Sequence, residues 1–353
     1  MNLAVMFGGK SAEHDISVIT AVGLGGAIPE AKKIYVDERN RWWLVTKTLT
    51  PAQYKGKKIP PTFLPVTILP NNDRLYLKLG WIIIPICRLN AAVLCFHGNN
   101  GEDGATQGLL QLAGIPYTGS GIGASAIGMD KILSKKFFAS LGLPVLKSFS
   151  VDIDGFLNGE PIMTGNMNFP LVVKPCSLGS SIGISVVKDA NELEEALSTA
   201  FAFDSKVMIE SALLDCHEAN CSYFCKEVSE VYHPYSAGEI LSFEDKYLSG
   251  EKAEPRKETL FINEIKRATK IICDSLNVQG AARVDFLVTE KEWFVNEINT
   301  IPGSLAYPMW KDRYSLREYV LKAVDQAVNI HKIRKSLKYA YESNVLNMGS
   351  SKK

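Results

Sequence analysis

Arg283-Val-Asp285-Phe-Leu-Val-Thr-Glu-Lys-Glu-Trp293-Phe-Val-Asn-Glu297-Ile-Asn299-Thr-Ile-Pro302-Gly303 is the stretch on which the fold turns. It reads as two apolar strands around a short polar turn at Thr289 to Glu292. Side chains alternate faces along a strand, so Arg283 and Asp285 share one face, as do Glu297 and Asn299. With residue 291 as the turn centre, antiparallel pairing sets Asp285 opposite Glu297 and Arg283 opposite Asn299, all four on one side of the sheet. Two carboxylates and an amide oxygen converging there suit a hard cation such as Mg²⁺, with phosphates completing its shell. The same spacing equally describes a charge ladder on a solvated hairpin.

The rest of the chain is that of an ordinary globular protein. Its 353 residues, 46% hydrophobic and 22% charged, can bury a large core in two or three domains. A formal net charge of +1 gives no general attraction to nucleic acid or an anionic membrane, so neither is expected as a partner. The opening Met1-Asn-Leu-Ala-Val-Met-Phe-Gly lacks a basic leader, and no run of 18 uncharged apolar residues occurs, which points to the cytoplasm. The seven cysteines are odd in number, as suits a reducing compartment. Cys216, Cys221 and Cys225 with His217 match no standard zinc spacing and read as strand interior.

Upstream, several turns carry polar groups at strand ends. Leu3 to Phe7 is a buried-strand run, followed by Gly8-Gly9-Lys10-Ser11-Ala-Glu13-His14-Asp15 and a helix-compatible segment to Ala27. Its Gly-Lys-Ser is no P-loop, because Ala4 stands where the first glycine belongs. Glu13 either complements the helix dipole or meets a substrate cation. Thr50 to Asn72 reads as a loop or insertion. The strand Ala91 to Phe96 delivers His97-Gly-Asn-Asn-Gly-Glu102-Asp103-Gly104 to a loop before a helix from Gln107 to Ala113, where α/β folds place ligands. Gly119-Ser-Gly121-Ile-Gly-Ala124 fits the dinucleotide fingerprint only superficially, since its preceding strand is poor and the ribose acid is missing.

A helix with Ile132, Lys135, Lys136 and Phe137 at helical spacing stops at Gly142 and Pro144, and Lys131 at its start opposes the helix dipole unless an anion offsets it. Pro170 to Pro175 and Ile184 to Val187 are strands flanking Gly179-Ser180-Ser181-Ile-Gly183, a donor-rich loop able to fold over phosphates. Lys174, on an apolar strand, calls for an anion. Asp189 to Glu192 reads as a capping box ahead of a helix with Leu193, Ala196, Leu197, Ala200 and Phe201 inward. Val207 to Glu210 is a short strand leading to Leu213 and Glu218. Phe243 to Glu258 is a polar loop able to act as a lid, Phe261 to Leu276 an amphipathic helix, and Ser315 with Glu318 caps the last helix.

Taken together, these motifs make the sequence resemble the D-alanine–D-alanine ligases of the ATP-grasp superfamily, the D-Ala–D-Ser type included. The likeness runs in order through Phe-Gly-Gly-Lys-Ser-Ala-Glu13-His, His97-Gly-x-x-Gly-Glu-Asp-Gly104-x-x-Gln-Gly, Pro116-Tyr-Thr-Gly, Met129-Asp-Lys131, Val-Lys174-Pro-x-x-x-Gly-Ser180-Ser181-x-Gly, Lys246-Tyr247, Arg283-Val-Asp285 and Glu297-x-Asn299-Thr-x-Pro-Gly303. It implies a three-domain α/β architecture: an open parallel-sheet domain over 1–119, a central domain over 120–213 and a C-terminal domain over 214–340; the tail over 341–353, ending Ser350-Ser-Lys-Lys353, reads as disordered from its position. ATP would lie between the last two domains.

The resemblance further implies that Lys131 and Lys174 neutralise phosphates, helped by Lys246, under the loop of Ser180 and Ser181. Glu210, Leu213 and Glu218 would hold adenine and ribose. Asp285, Glu297 and Asn299 would ligate two Mg²⁺, for which Mn²⁺ can substitute. Glu13 would meet the first D-amino acid's ammonium, with Ser180 and Tyr247 holding the lid shut. Arg283 and the Gly303 N–H would face the oxyanion, and His97 and Ser304 the substrates. A homodimer is implied as well.

The chain departs from the family pattern on the acceptor side. The segment after Gly303 is short, leaving Ser304 as the candidate for the second substrate's carboxylate. The lid reads Glu254-Pro255-Arg256 where Cys-Pro-Ala is usual. Leu178 stands where a charge is common, and Cys216-His217 replaces small residues before Glu218. Three functions stay open here: joining two D-alanines for peptidoglycan precursors, joining D-alanine to D-Ser or another acceptor, and nucleotide binding without catalysis.

Overall fold

A computed structural model describes residues 1–47, 49–54, 59–162, 164, 167–234, 260–341 and 343. The first sheet contains β1 (Leu3–Gly8), β2 (Lys32–Val36), β3 (Trp42–Val45), β4 (Leu64–Leu69), β5 (Asn72–Leu79), β6 (Ile82–Arg88) and β7 (Ala91–Leu94). Their order is β6-β5-β4-β3-β2-β1-β7. Only β2, β1 and β7 are parallel, and all six residues of β1 are buried, as a strand covered on both faces demands. Helices α1 (His14–Leu24), α2 (Pro51–Tyr54) and α3 (Ala105–Ala113) belong to this part. The turns that follow β1 and β7 leave the same edge of the sheet, side by side.

The expectation of a loop over Thr50 to Asn72 is corrected. That segment contains α2 and β4, and the strand forms because Val66 and Ile68 alternate into the core. Proline and lysine marked the segment as polar, while the alternation was only five residues long.

Next come α4 (Ile122–Met129), α5 (Lys131–Ser140) and α6 (Ile153–Leu157), with the second sheet of β8 (Ser148–Asp152), β9 (Leu171–Pro175), β10 (Ser185–Val187) and β11 (Lys206–Ser211). It is antiparallel in the order β10-β9-β11-β8. Helix α7 (Leu193–Phe201) covers it with Leu193, Ala196, Leu197 and Ala200. The capping box expected at Asp189 to Glu192 does not form. Glu192 is itself the N-cap residue and its carboxylate accepts from Lys188 N, while Asp189 accepts from Asn191 N in a local turn. On α5 the inward side chains are Lys131, Ile132, Ser134, Lys135 and Phe138, whereas Lys136 faces solvent.

The third sheet joins β12 (His217–Phe224), β13 (Glu227–Tyr232), β14 (Ala281–Val288) and β15 (Trp293–Asn299) in the order β13-β12-β14-β15, all antiparallel. Helix α8 (Ile262–Ser275) buries Ile265, Ala268 and Ile272 against it. A short helical turn over Gly303–Met309 leads to α9 (Leu316–Ser336), which starts in a full capping box of Ser315 and Glu318. Val320 and Val324 of α9 pack with Leu3, Val5 and Val93 of the first sheet, so the chain's end returns to its beginning.

The opening hairpin forms with the expected partners, Arg283 opposite Asn299 and Asp285 opposite Glu297. The turn differs. Phe286 pairs with Val295, and a bulge at this point absorbs one residue, so the loop is centred half a residue earlier than position 291. Thr289 closes that loop by accepting from the Lys291 and Glu292 N–H groups.

Gly280, just before β14, has φ +66°, and a Cβ there would lie 2.8 Å from the Gly119 backbone nitrogen. Gly280→Ala is therefore expected to destabilise the protein by about 1–3 kcal/mol, through left-handed strain and the clash together. Denaturant unfolding of the two proteins measures it, and equal midpoints would refute the close approach.

Candidate active site

One open cleft collects residues from all three sheets. Glu13 arrives from the turn after β1, His97 and Glu102 from the loop after β7, Lys131 from α5, and Ser180 from the turn after β9. Arg283, Glu297, Asn299 and Gly303 come from the hairpin and its end.

Asp285, bonded to the lining residues Arg283 and Asn299, has no exposed surface. Arg283 grips it with two hydrogen bonds of 2.6 Å, and the Asn299 amide donates to it at 3.0 Å. A fully desolvated carboxylate needs that compensation. Glu297 lies 3.5 Å from Lys131 Nζ, which also donates to the Leu178 carbonyl at 2.6 Å. Asp130 caps α5 through the Ile132 and Leu133 N–H groups, and with Glu297 supplies the anion that a lysine at a helix start requires.

Glu13 is 6% exposed and accepts from the Ser180 hydroxyl, tying the first sheet to the loop of the second across 167 residues. A Cβ at Gly179 would sit 2.9 Å from the Glu13 carboxylate, so a side chain there would displace Glu13. Burial raises Glu13 above the ordinary carboxyl range, as does the negative charge of Glu297, while Ser180 and Lys131 pull it back. Ser180 and Ser181 both have left-handed φ, 55° and 57°. His97 is buried, its Nε2 3.0 Å from Thr20 Oγ1, and burial together with the charge of Arg283 lowers it to about 4, so it is neutral at pH 7.

Of the residues expected to hold the nucleotide, Lys174 and Glu210 meet in a second cluster, while Leu213 and Glu218 have other partners. Glu210, at the end of β11, is 1% exposed and pairs with Lys174 at 2.7 Å and with Lys135. Burial pushes its pKa up, yet the two lysines hold it below the usual range. Leu213 is half-buried, its carbonyl accepting from the Cys216 thiol at 3.2 Å. Glu218 lies on β12 beside Asn220. With its amide oriented to satisfy both neighbours, Asn220 donates to Glu218 Oε1 at 3.0 Å and Asp285 Oδ1 at 3.1 Å. Cys221 is buried inside β12 with its thiol toward the Ser229 carbonyl.

Ser304 is exposed; its backbone N–H, at 3.3 Å from Thr20 Oγ1, is the atom that is anchored, and Ser304, Leu305 and Ala306 run through left-handed φ of 49°, 53° and 54°. Lys246, Tyr247, the expected lid over Phe243 to Glu258 and the tail Ser350 to Lys353 lie outside the described residues.

Three residues of this site escaped the reading of the sequence as functional: Lys135, Glu102 and Asn220. Glu102 accepts from Gly98 N at 2.9 Å and from Ile301 N at 3.0 Å, locking the loop after β7 to the end of the hairpin. Its place within the His97–Gly104 motif was the available signal. Asn220 faces Asp285 across paired strands, a relation fixed only once β12 and β14 are in register.

The donor set fits a hard divalent cation. Asp285, Glu297 and Asn299 share one face, where Arg283 holds both Asp285 oxygens, and the negative charge of Glu297 raises both Glu13 and Glu102, a crowding that a cation would relieve.

Family models described as D-ala D-ala ligase N-terminus and D-ala D-ala ligase C-terminus match residues 2–120 and 137–316. The chain is 32% identical to a D-alanine–D-alanine ligase of Thermosipho africanus, over 99% of both chains. Among solved structures it is similar to the D-alanine–D-alanine ligase of Helicobacter pylori, with a TM-score of 0.74 at 28% identity over 92% of this chain and 98% of that one. A D-Ala:D-Ser ligase of Enterococcus faecalis gives 0.74 at 25% identity over 93% and 100%. The architecture is thus an α/β ATP-grasp fold. The chain belongs to the D-alanine–D-alanine ligase family.

Burial first, and then the charge of Glu13, raise Glu102 to about 8 from 4.5. A carboxyl raised on folding contributes stability that is full below 4.5 and is lost as the pH climbs through about 8. Glu102→Gln removes this titration. Urea unfolding from pH 5 to pH 9 should show the parent losing stability relative to the variant as pH rises, and a constant difference would refute a buried neutral carboxyl.

Proposed function

We propose that this chain joins two D-alanines at the expense of ATP, giving D-alanyl-D-alanine, ADP and phosphate for peptidoglycan precursors. The observation that supports this most is the meeting of Glu13, Ser180, Lys131 and the hairpin face in one cleft, in a chain matched by both family models.

In this reading the carboxylate of the first D-alanine attacks the γ-phosphate of ATP, ADP leaves, and a D-alanyl phosphate forms. The amine of the second D-alanine then attacks the carbonyl carbon and phosphate departs. Glu13 holds the ammonium of the first substrate, and Lys131, Lys174 and Lys246 offset charge on the phosphates. Ser180, Ser181 and Tyr247 keep water from the acyl phosphate, which would otherwise hydrolyse. Arg283 and the Gly303 N–H donate to the oxyanion of the tetrahedral adduct. Neutral His97 orients the substrates without adding charge, and Ser304 takes the second carboxylate. Glu210, Leu213 and Glu218 hold adenine and ribose.

Asp285, Glu297 and Asn299 hold two Mg²⁺, or Mn²⁺ in their place. When bound, these ions supply charge neutralisation across the transferred phosphoryl group. The domain division at 119/120 and 213/214, a cytoplasmic location and a homodimer go with the same reading. The edge strand β6, where Ile82, Ile83 and Ile84 are 50%, 42% and 46% exposed, supports the last.

Phosphate release with ATP and Mg²⁺ across a panel of D- and L-amino acids tests the function. Turnover with D-Ala alone is expected. Turnover only with a mixed pair such as D-Ala and D-Ser would change the acceptor, and binding without turnover would reduce the chain to a nucleotide-binding homologue. Glu297→Gln should lower kcat/KM by roughly 100-fold at limiting Mg²⁺, with partial recovery as Mg²⁺ is raised. Undiminished activity at limiting Mg²⁺ would remove Glu297 from the metal set.

A further inference from the structure

Lys135 is 3% exposed and sits one helical turn beyond Lys131 on the buried face of α5. The two lysines diverge. Lys131 reaches Leu178 and Glu297 on the hairpin side, while Lys135 reaches Glu210, the carboxylate that Lys174 also holds from β9. Two ammonium groups therefore share one carboxylate, with Lys135, Lys174 and Glu210 only 3%, 7% and 1% exposed. Lys135 Nζ and Glu210 Oε1 meet as an ion pair and have no other hydrogen-bond partner among the described residues.

A buried group of two lysines and one glutamate has a surplus positive charge, which favours an anion nearby. The arrangement also solves a problem of exchange. If Lys174 were the only partner of Glu210, moving Lys174 onto a phosphate would strand an uncompensated carboxylate in a site of 1% exposure.

We propose that Lys135 is a positioning residue that keeps Glu210 compensated and in place, so that Lys174 is free to pass from Glu210 to a nucleotide phosphate. This deepens the nucleotide reading given above and rests on it. Lys135 touches no substrate in this scheme; it acts through Glu210. On this account Lys135→Met leaves Lys174 as the sole cation on Glu210 and ties it there.

Calorimetric titration of the full chain with ATP, without amino acid, tests the scheme. Lys135→Met and Lys135→Gln should each bind ATP about tenfold more weakly, the scale of coupling between groups in one network. Lys135→Arg, which keeps the charge, should bind within about threefold of the parent, which a loss due to misfolding would not predict for a bulkier residue. In the Glu210→Gln background, Lys135→Met should add no further loss, because its only route of action is gone. Unchanged ATP affinity in Lys135→Met, or losses that multiply in the double variant, would overturn the inference. The separate control is Lys174→Met: if its ATP affinity equals the parent's, the nucleotide reading itself fails. If Lys174→Met loses ATP while Lys135→Met does not, only the role of Lys135 is lost.

Discussion

A carboxylate with no exposed surface constrains everything around it, and Asp285 is such a group. Ionised and alone at that depth it would cost several kcal/mol, so it has to be met by charge and hydrogen bonds from fixed directions. Arg283 two residues away, Asn299 across the hairpin and Asn220 across the other paired strand supply them. Each partner is on the same face only if both strand registers are kept, since a slip of one residue would turn it to the opposite face. The bulge opposite Phe286 lets the turn be short while Glu297 and Asn299 stay on the inward face. Asp285 thus couples the register of the third sheet to the chemistry of the cleft.

This coupling explains why the hairpin was legible from the sequence. Period-two alternation acts over four to eight residues, and both strands satisfied it with polar groups on one face. The contacts that close the cleft are of another kind. Ser180 meets Glu13 across 167 residues, and Glu102 holds Ile301 across 199. No local periodicity encodes such distances; the resemblance of ordered motifs to a family supplied the grouping. Where neither local pattern nor motif spoke, the reading failed. Lys135 looked like one more helix-former beside Lys136, although one points into the protein and the other to solvent. Strand β4 was hidden because a six-residue strand with prolines nearby resembles a connector.

The local rules that failed did so for a physical reason too. At Asp189 to Glu192 the residues of a capping box are present, but Glu192 bonds back to Lys188 and becomes the cap residue itself. Side chains of this type satisfy backbone groups in several local geometries, and the packing of Leu193 and Leu197 on the second sheet decides which one survives. At Ser315 the same motif starts a 21-residue helix, and there it forms in full.

The cleft and the cluster buried behind α5 differ in sign. On the hairpin side Glu13, Glu102, Asp285 and Glu297 face Lys131 and Arg283, four acids to two bases, and the surplus of acid adds to burial in raising Glu13 and Glu102. On the β9–β11 side Lys135 and Lys174 face Glu210, two bases to one acid, and they hold that carboxylate low despite complete burial. A surplus of acid favours cations. A surplus of base favours phosphate. The two sides meet at Lys131, whose ammonium group is 3.5 Å from Glu297 while its helix supplies Lys135 to Glu210. Helix α5 is therefore the element that spaces a cation-seeking region from an anion-seeking one.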